Sequence, residues 1–126
     1  MLDRLRPIEI SRQERVVQDH GWTLEGAIWV SYRLSGAAIE SGVVGVPAAK
    51  GIHLQGSFQL LDSRHSAEIG KLTVKDASAW GLGPFFRRGG GVEKGDFLLM
   101  VFNLHDRTAT VSVGDEGLIE RFQDGS

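Results

Sequence analysis

The most informative segment of the chain reads Phe97-Leu98-Leu99-Met100-Val101-Phe102-Asn103-Leu104, then His105-Asp106-Arg107, then Thr108-Ala109-Thr110-Val111-Ser112-Val113-Gly114. Its first part is almost wholly apolar, which predicts a central strand buried on both sides. The polar triplet is short enough for a tight turn, and the alternating third part predicts the second strand of a hairpin. The segment therefore predicts a β core.

Further strands are predicted upstream, where β-branched and aromatic residues lie between turn residues: 28–34, 42–47, 52–54, 57–61 and 69–74. The second of these must end near Pro47, whose ring removes a backbone donor. A turn or short helix is expected at 48–51. The 17 glycines and 3 prolines indicate many tight turns. Together these features predict a mainly β fold, a small closed or partly open β-barrel (pseudobarrel) with one or two short helices.

Helical signals are confined to the ends of the chain and to one internal turn. Ser11 with Glu14 has capping-box spacing and Gly21 is a natural stop, which predicts a helix over 8–21. Pro84 favours a single helical turn that presents Phe85 or Phe86 inward, and residues 115–122 form a second terminal helix. The predicted organisation is an N-terminal helical appendage over 1–26, a barrel domain over 27–122 and a frayed tail over 123–126.

Length and composition limit the functional classes. A chain of 126 residues with 41% hydrophobic and 24% charged residues fits one soluble domain. It has no apolar run of membrane-spanning length and no secretory start, so a cytoplasmic location is expected. The absence of cysteine excludes disulfides and thiolate chemistry. A net charge of −2 gives no global basic field, so any DNA site must be a local patch.

One predicted strand carries such a patch. Along residues 69–74 and the residue that follows, Leu72 and Val74 point to one side while Lys71, Thr73 and Lys75 point to the other. The sequence therefore predicts a strand with one buried face and one cationic face. Solvated lysines on an ordinary exposed strand are the alternative interpretation.

Four segments between Leu34 and Val113 carry a likeness to a known family. They are Gly42-Val43-Val44-Gly45-Val46-Pro47-Ala48-Ala49-Lys50, Phe58-Gln59-Leu60-Leu61-Asp62 with Lys71-Leu72-Thr73-Val74, Trp80-Gly81-Leu82-Gly83-Pro84-Phe85-Phe86, and Val92-Glu93-Lys94-Gly95-Asp96-Phe97-Leu98-Leu99-Met100-Val101-Phe102. Their order resembles the DNA-binding pseudobarrel of plant B-three transcription-factor domains and of some restriction-enzyme recognition domains. The resemblance implies a barrel fold and a role in duplex DNA recognition.

In that family two arms grip the major groove, and the resemblance implies where they lie here. The first arm falls on residues 35–45, which contain no lysine or arginine, a departure from the family's pattern. The second supplies cations for phosphates and hydroxyls for base edges or backbone oxygens. The DNA-binding residues expected from the second arm and its neighbourhood are Lys71, Thr73, Lys75, Ser78, Arg64 and Lys50.

Other functions were weighed against DNA binding. The histidines lack metal-ligand spacing and no nucleophile or phosphate-binding motif is present, so neither an enzyme, a metal site nor a cofactor is expected. Trp22, Trp29 and Trp80 are expected to pack in the core, and stacking on nucleic-acid bases is the alternative interpretation. The main alternative is a protein-interaction or assembly module that keeps the barrel, has lost DNA contacts and uses an exposed strand edge. A small-ligand enzyme with a deep pocket is the third.

Overall fold

The computed structural model describes residues 17–64, 67–87, 92–115 and 117–125. These residues form eight strands: β1 Val17–Trp22, β2 Ile28–Arg33, β3 Val43–Gly45, β4 Gly56–Asp62, β5 Ala67–Lys75, β6 Ser78–Trp80, β7 Phe97–Asn103 and β8 Thr108–Gly114. The same residues contain four short helices: α1 Gly36–Ser41, α2 Ala48–Leu54, α3 Gly83–Arg87 and α4 Gly117–Gly125. The predicted mainly β class is confirmed, with four helices where one or two were expected.

All eight strands belong to one sheet in the order β1-β2-β7-β8-β4-β5-β6-β3, which is nearly closed into a barrel. Neighbouring strands are antiparallel except β4 and β8, which run parallel. The two edge strands are β1 and β3. The barrel is therefore completed by side-chain contacts across the gap between these two ends of the sheet.

One of these contacts is a buried hydrogen bond. The Tyr32 hydroxyl on β2 donates to the Gly45 carbonyl oxygen on β3 at 2.9 Å. Burial raises the pKa of Tyr32, because the charged phenolate would lose its hydration. The phenol therefore stays neutral and keeps its proton for the hydrogen bond that links the two ends of the sheet.

Helix α2 contributes further contacts to β1. Lys50 Nζ lies 3.2 Å from His20 Nδ1, and the rings of His53 and Trp22 meet edge to face at a centroid distance of 5.2 Å. These contacts connect the segment that follows β3 with the opposite edge strand. They connect α2 to β1, although the two edge strands β1 and β3 are not paired by backbone hydrogen bonds in the described residues.

The hairpin expected at the end of the chain is confirmed. β7 and β8 pair from Phe97 with Gly114 to Asn103 with Thr108. Three consecutive β7 residues are buried, as expected for a central strand lined on both sides. The turn between the strands is completed by Arg107, whose φ of 57° lies in the left-handed region.

The interior of the barrel is filled from most of its strands. Phe58 and Phe102 pack edge to face with ring centroids 5.1 Å apart. The predicted turn of helix after Pro84 is present as α3, and both Phe85 and Phe86 are buried against the core. The largest fully buried side chains are Tyr32, Phe58, Phe102, Ile28, Leu34, Leu54, Leu60, Leu72, Leu82, Leu98, Met100 and Val30.

The helix predicted over 8–21 is wrong for residues 17–21, and residues 1–16 lie outside those described. Residues Val17–Trp22 form β1, which pairs with β2. Capping signals reflect only the local preference of the chain for a helix. The backbone groups of residues 17–22 instead form hydrogen bonds with the neighbouring strand β2, which is buried. The division of the chain into appendage, domain and tail stays a prediction.

The strand predicted over 52–54 is also wrong, because these residues form the end of α2. Its apolar run is only three residues long, and in such a short run periodicity does not separate strand from helix. The helix buries Leu54 while Ile52 is 83% exposed. The terminal helix expected over 115–122 is present as α4 and extends to Gly125.

Candidate nucleic-acid interface

The alternation predicted along β5 is confirmed. Leu72 and Val74 are buried in the barrel, whereas Lys71, Thr73 and Lys75 are exposed on its outer surface. The two apolar side chains fix this orientation, because a slip of one residue would bury the lysines. The three polar side chains therefore lie in one row along the outside of the strand.

Strand register brings further residues beside this row. On β4, Ser57 lies opposite Thr73 and Gln59 opposite Lys71, while on β6 Ser78 lies opposite Lys75 and Trp80 opposite Thr73. Residues opposite each other in antiparallel strands share a face of the sheet, with Cβ atoms about 5 Å apart. We call this surface the β5 face: Ser57, Gln59, Lys71, Thr73, Lys75, Ser78 and Trp80.

The turn between β5 and β6 is braced at Asp76. Its backbone N–H donates to Gln55 Oε1 at 3.0 Å, and its carbonyl oxygen accepts from Gln55 Nε2 at 2.9 Å. Asp76 has a φ of 56°, and this pair of hydrogen bonds holds it in the left-handed region. The brace fixes the end of the β5 face next to Lys75.

The other end of β6 depends on a glycine. Gly81 has a φ of 119°, and a Cβ atom there would lie only 2.3 Å from the Lys71 carbonyl oxygen. Only glycine avoids this overlap, because any other residue would drive its side chain into the β5 backbone. The chain can therefore leave β6 closely packed against β5, directly after Trp80.

A cation from the turn before β8 holds the start of β4. The Arg107 guanidinium donates to the carbonyl oxygens of Gln55 at 2.8 Å and Ser57 at 3.3 Å, and its carbon lies 3.9 Å from the centroid of the Phe58 ring. It therefore holds the start of β4, on the side of the inward-facing Phe58 ring. The sequence places Arg107 only in a turn, and nothing local signals this contact with a segment about 50 residues away.

Among the described residues, no acidic side chain forms an ion pair with the lysines of the β5 face. Among the described residues the ion pairs are Arg64 with Asp62 and Arg121 with Asp115. Neither Lys71 nor Lys75 has one. Solvated ammonium groups without a protein partner are free to exchange their hydration for an anion.

No protein-family model, curated protein or solved structure matches this chain. The likeness to the B-three pseudobarrel therefore stays a hypothesis that depends on the order of four sequence segments.

Two predicted DNA-binding residues lie elsewhere. Arg64 lies in the turn after β4, beyond the end of the strand and five residues from Gln59, the partner of Lys71. Its Nη2 lies 3.4 Å from Asp62 Oδ2. Lys50 lies on α2, where its ammonium group contacts His20. Ser78 lies on the face and is half-buried. The structure thus brings Lys71, Thr73, Lys75 and Ser78 together and separates the other two.

The first arm implied by the resemblance is mostly helical. Ser35 caps α1 by accepting a hydrogen bond from the Ala38 backbone N–H at 3.1 Å, and Gly42 ends the helix in the left-handed region. This segment has no cation and one buried helical residue, Ala38. It offers a capped helix rather than a basic loop.

The expectation that all three tryptophans pack in the core is wrong for two of them. Trp29 is buried, but Trp22 is 48% exposed and Trp80 is 54% exposed. Trp80 follows the buried Ala79 in a strand, so alternation alone indicates its outward orientation. Because the sequence predicts no strand over 78–80, this alternation becomes visible only in the structure.

The described part of the chain contains neither a metal-binding cluster nor a membrane-spanning helix. No group of three or more histidine, aspartate or glutamate side chains is placed to hold a metal ion among residues with described positions. Across the same residues, no helix has the length and apolar character needed to cross a bilayer.

Proposed function

We propose that this protein is a cytoplasmic, non-catalytic domain that binds duplex DNA through the β5 face. The observation that carries the proposal is the pair of exposed lysines without ion pairs, Lys71 and Lys75, on a braced strand of a chain with net charge −2. Local positive charge of this kind attracts phosphates even where the whole protein has no basic field. The order of the four family-like segments supports the same function.

The spacing of the face suits a nucleic-acid backbone. Lys71 and Lys75 are four residues apart, or about 13 Å along an extended strand. Phosphates follow each other by about 3.4 Å of axial rise along one DNA strand. Each step along the strand also turns about the helix axis, so the two ammonium groups reach phosphates about two nucleotides apart. The hydroxyls of Ser57 and Thr73 lie between them.

Charge reversal tests this proposal. A Lys71→Glu/Lys75→Glu variant is expected to weaken binding to a short duplex of mixed sequence, measured by fluorescence anisotropy at low salt. Each phosphate contact that is lost should lower the slope of log K against log salt by about 0.9. If the unmodified protein shows no affinity for duplex DNA at low salt, the proposal is rejected.

A matched control separates the face from net charge. Lys94→Glu/Arg121→Glu changes the total charge by the same amount at two exposed positions outside the β5 face. This variant should retain most of the affinity and the salt slope of the unmodified protein. Equal losses in the two double variants would show that overall charge, and not the β5 face, controls binding.

A second candidate is an assembly module, which the edge of the sheet favours. β1 pairs with β2 on one side, and its other side is an edge whose side chains His20 and Trp22 contact α2. A further chain could pair with this edge by displacing those contacts. Trp22 and Ile52 expose apolar surface beside this edge. Light scattering at increasing protein concentration tests this function, because a monomer at every concentration would exclude self-association. If a dimer forms, Trp22→Asp should weaken it.

A further inference from the structure

Trp80 is an exposed aromatic side chain on regular structure. Its side chain is on the outer surface of β6 with 54% of its area exposed, while the preceding Ala79 is fully buried. Among the described residues, no aromatic ring or cation is in contact with the Trp80 indole. A flat π surface is therefore available on a strand that is fixed by its neighbours.

The residues around Trp80 carry positive charge and hydroxyl groups. Thr73 lies directly opposite on β5, and Lys71 and Lys75 are the diagonal neighbours two residues to either side of it. Diagonal neighbours in a sheet are about 7–8 Å apart, within reach of long side chains. The indole thus lies between two cations on one continuous surface.

This combination matches a nucleotide with an accessible base. Every base has a π face that stacks on tryptophan, and the phosphates on either side of it carry the negative charge that two flanking lysines attract. Bases inside a duplex are already stacked and do not present that face. An apolar peptide or a neutral sugar ring would use the indole and leave both ammonium groups unused.

We propose that Trp80 stacks on an unpaired base, so that DNA with unpaired nucleotides binds more tightly than a blunt duplex. The inference depends on the proposed function, because Lys71 and Lys75 supply the phosphate contacts in both cases. Trp80 adds selectivity for exposed bases to that shared electrostatic binding. Base stacking on an aromatic side chain corresponds to an affinity gain of about five-fold or more.

The experiment compares two probes in anisotropy titrations: a blunt duplex, and the same duplex with a short single-stranded thymidine overhang. The unmodified protein should bind the overhang probe about five-fold or more tightly than the blunt probe. Trp80→Ala should remove this preference, so that the two probes bind with equal affinity. Trp80→Phe should retain part of it, because phenylalanine keeps a smaller stacking surface.

Trp22→Ala is the matched control, since it removes another half-exposed tryptophan from β1. It should keep the preference for the overhang. Equal affinity for the two probes in the unmodified protein, or a preference that survives Trp80→Ala, would overturn the inference while leaving the DNA-binding function standing. Absence of binding to both probes would instead reject that function and the inference with it.

Discussion

Replacing Tyr32 with phenylalanine should weaken the closure of the barrel. The Tyr32 hydroxyl is 2.9 Å from the Gly45 carbonyl oxygen, and the side chain is fully buried. Phenylalanine keeps the ring and its packing, but the buried carbonyl loses a donor. Leaving a buried acceptor unsatisfied costs about 1–3 kcal/mol, so the free energy of unfolding at neutral pH should fall by that amount.

The same substitution should change how stability depends on pH. Burial raises the pKa of Tyr32 in the folded protein, whereas the unfolded chain titrates near the ordinary value of about 10. Below about pH 10 both states keep the proton, and the contribution of the neutral phenol to stability is complete. Above it the unfolded chain alone releases the proton, so the free energy of unfolding should fall by about 1.4 kcal/mol per pH unit.

Urea unfolding followed by tryptophan fluorescence measures both effects. The difference between the two proteins isolates Tyr32, because their other titrating groups are the same. The chain has a single tyrosine, so tyrosinate absorbance reports on this side chain alone. Equal stability at neutral pH, or tyrosinate absorbance from the folded protein near pH 10, would refute the reasoning.

Four further substitutions test packing, close contact and capping. Leu72→Ala should lower the free energy of unfolding by about 2–5 kcal/mol, measured by urea titration. Thr73→Ala, on the exposed side of β5, should change it by less than about 0.5 kcal/mol. Equal losses in the two variants would contradict the alternation of buried and exposed residues along β5. Gly56→Ala should lower the free energy of unfolding by more than about 1 kcal/mol in the same titrations. The φ angle of Gly56 is +112°, and the new Cβ atom would lie 2.8 Å from Arg107 Nη2. Unchanged stability would argue against this contact. Ser35→Ala removes the cap of α1 and should cost about 1 kcal/mol, seen as a lower Tm, and an unchanged Tm would show that the cap contributes little.

Much of the fold was predictable because its strands carry strong local patterns. The apolar run of β7 and the alternation of β8 indicate a hairpin, and their register is set by the turn between them. The errors fall where local signals are weak. The residues of β1 include too few apolar side chains to stabilise the predicted helix, so pairing with β2 decides their structure. Residues 52–54 are too few to show whether their apolar pattern has the period of a strand or of a helix.

The candidate site was predictable only along single strands. Alternation places Lys71, Thr73 and Lys75 on one side of β5 without knowledge of its neighbours. The positions of Ser57 and Trp80 beside them depend on the register of β4 and β6. The position of Arg107 depends on the parallel pairing of β4 with β8, two strands far apart in the sequence.

The amino-acid sequence by itself determined the mainly β class, the strand with one cationic face and the inward phenylalanines after Pro84. These features follow from side-chain periodicity and backbone preference, which act between residues close along the chain. Tertiary structure alone decided which strands pair, how Tyr32 and α2 complete the barrel, and that Trp80 lies between two lysines. Those outcomes depend on contacts between distant segments, whose energies no local pattern encodes.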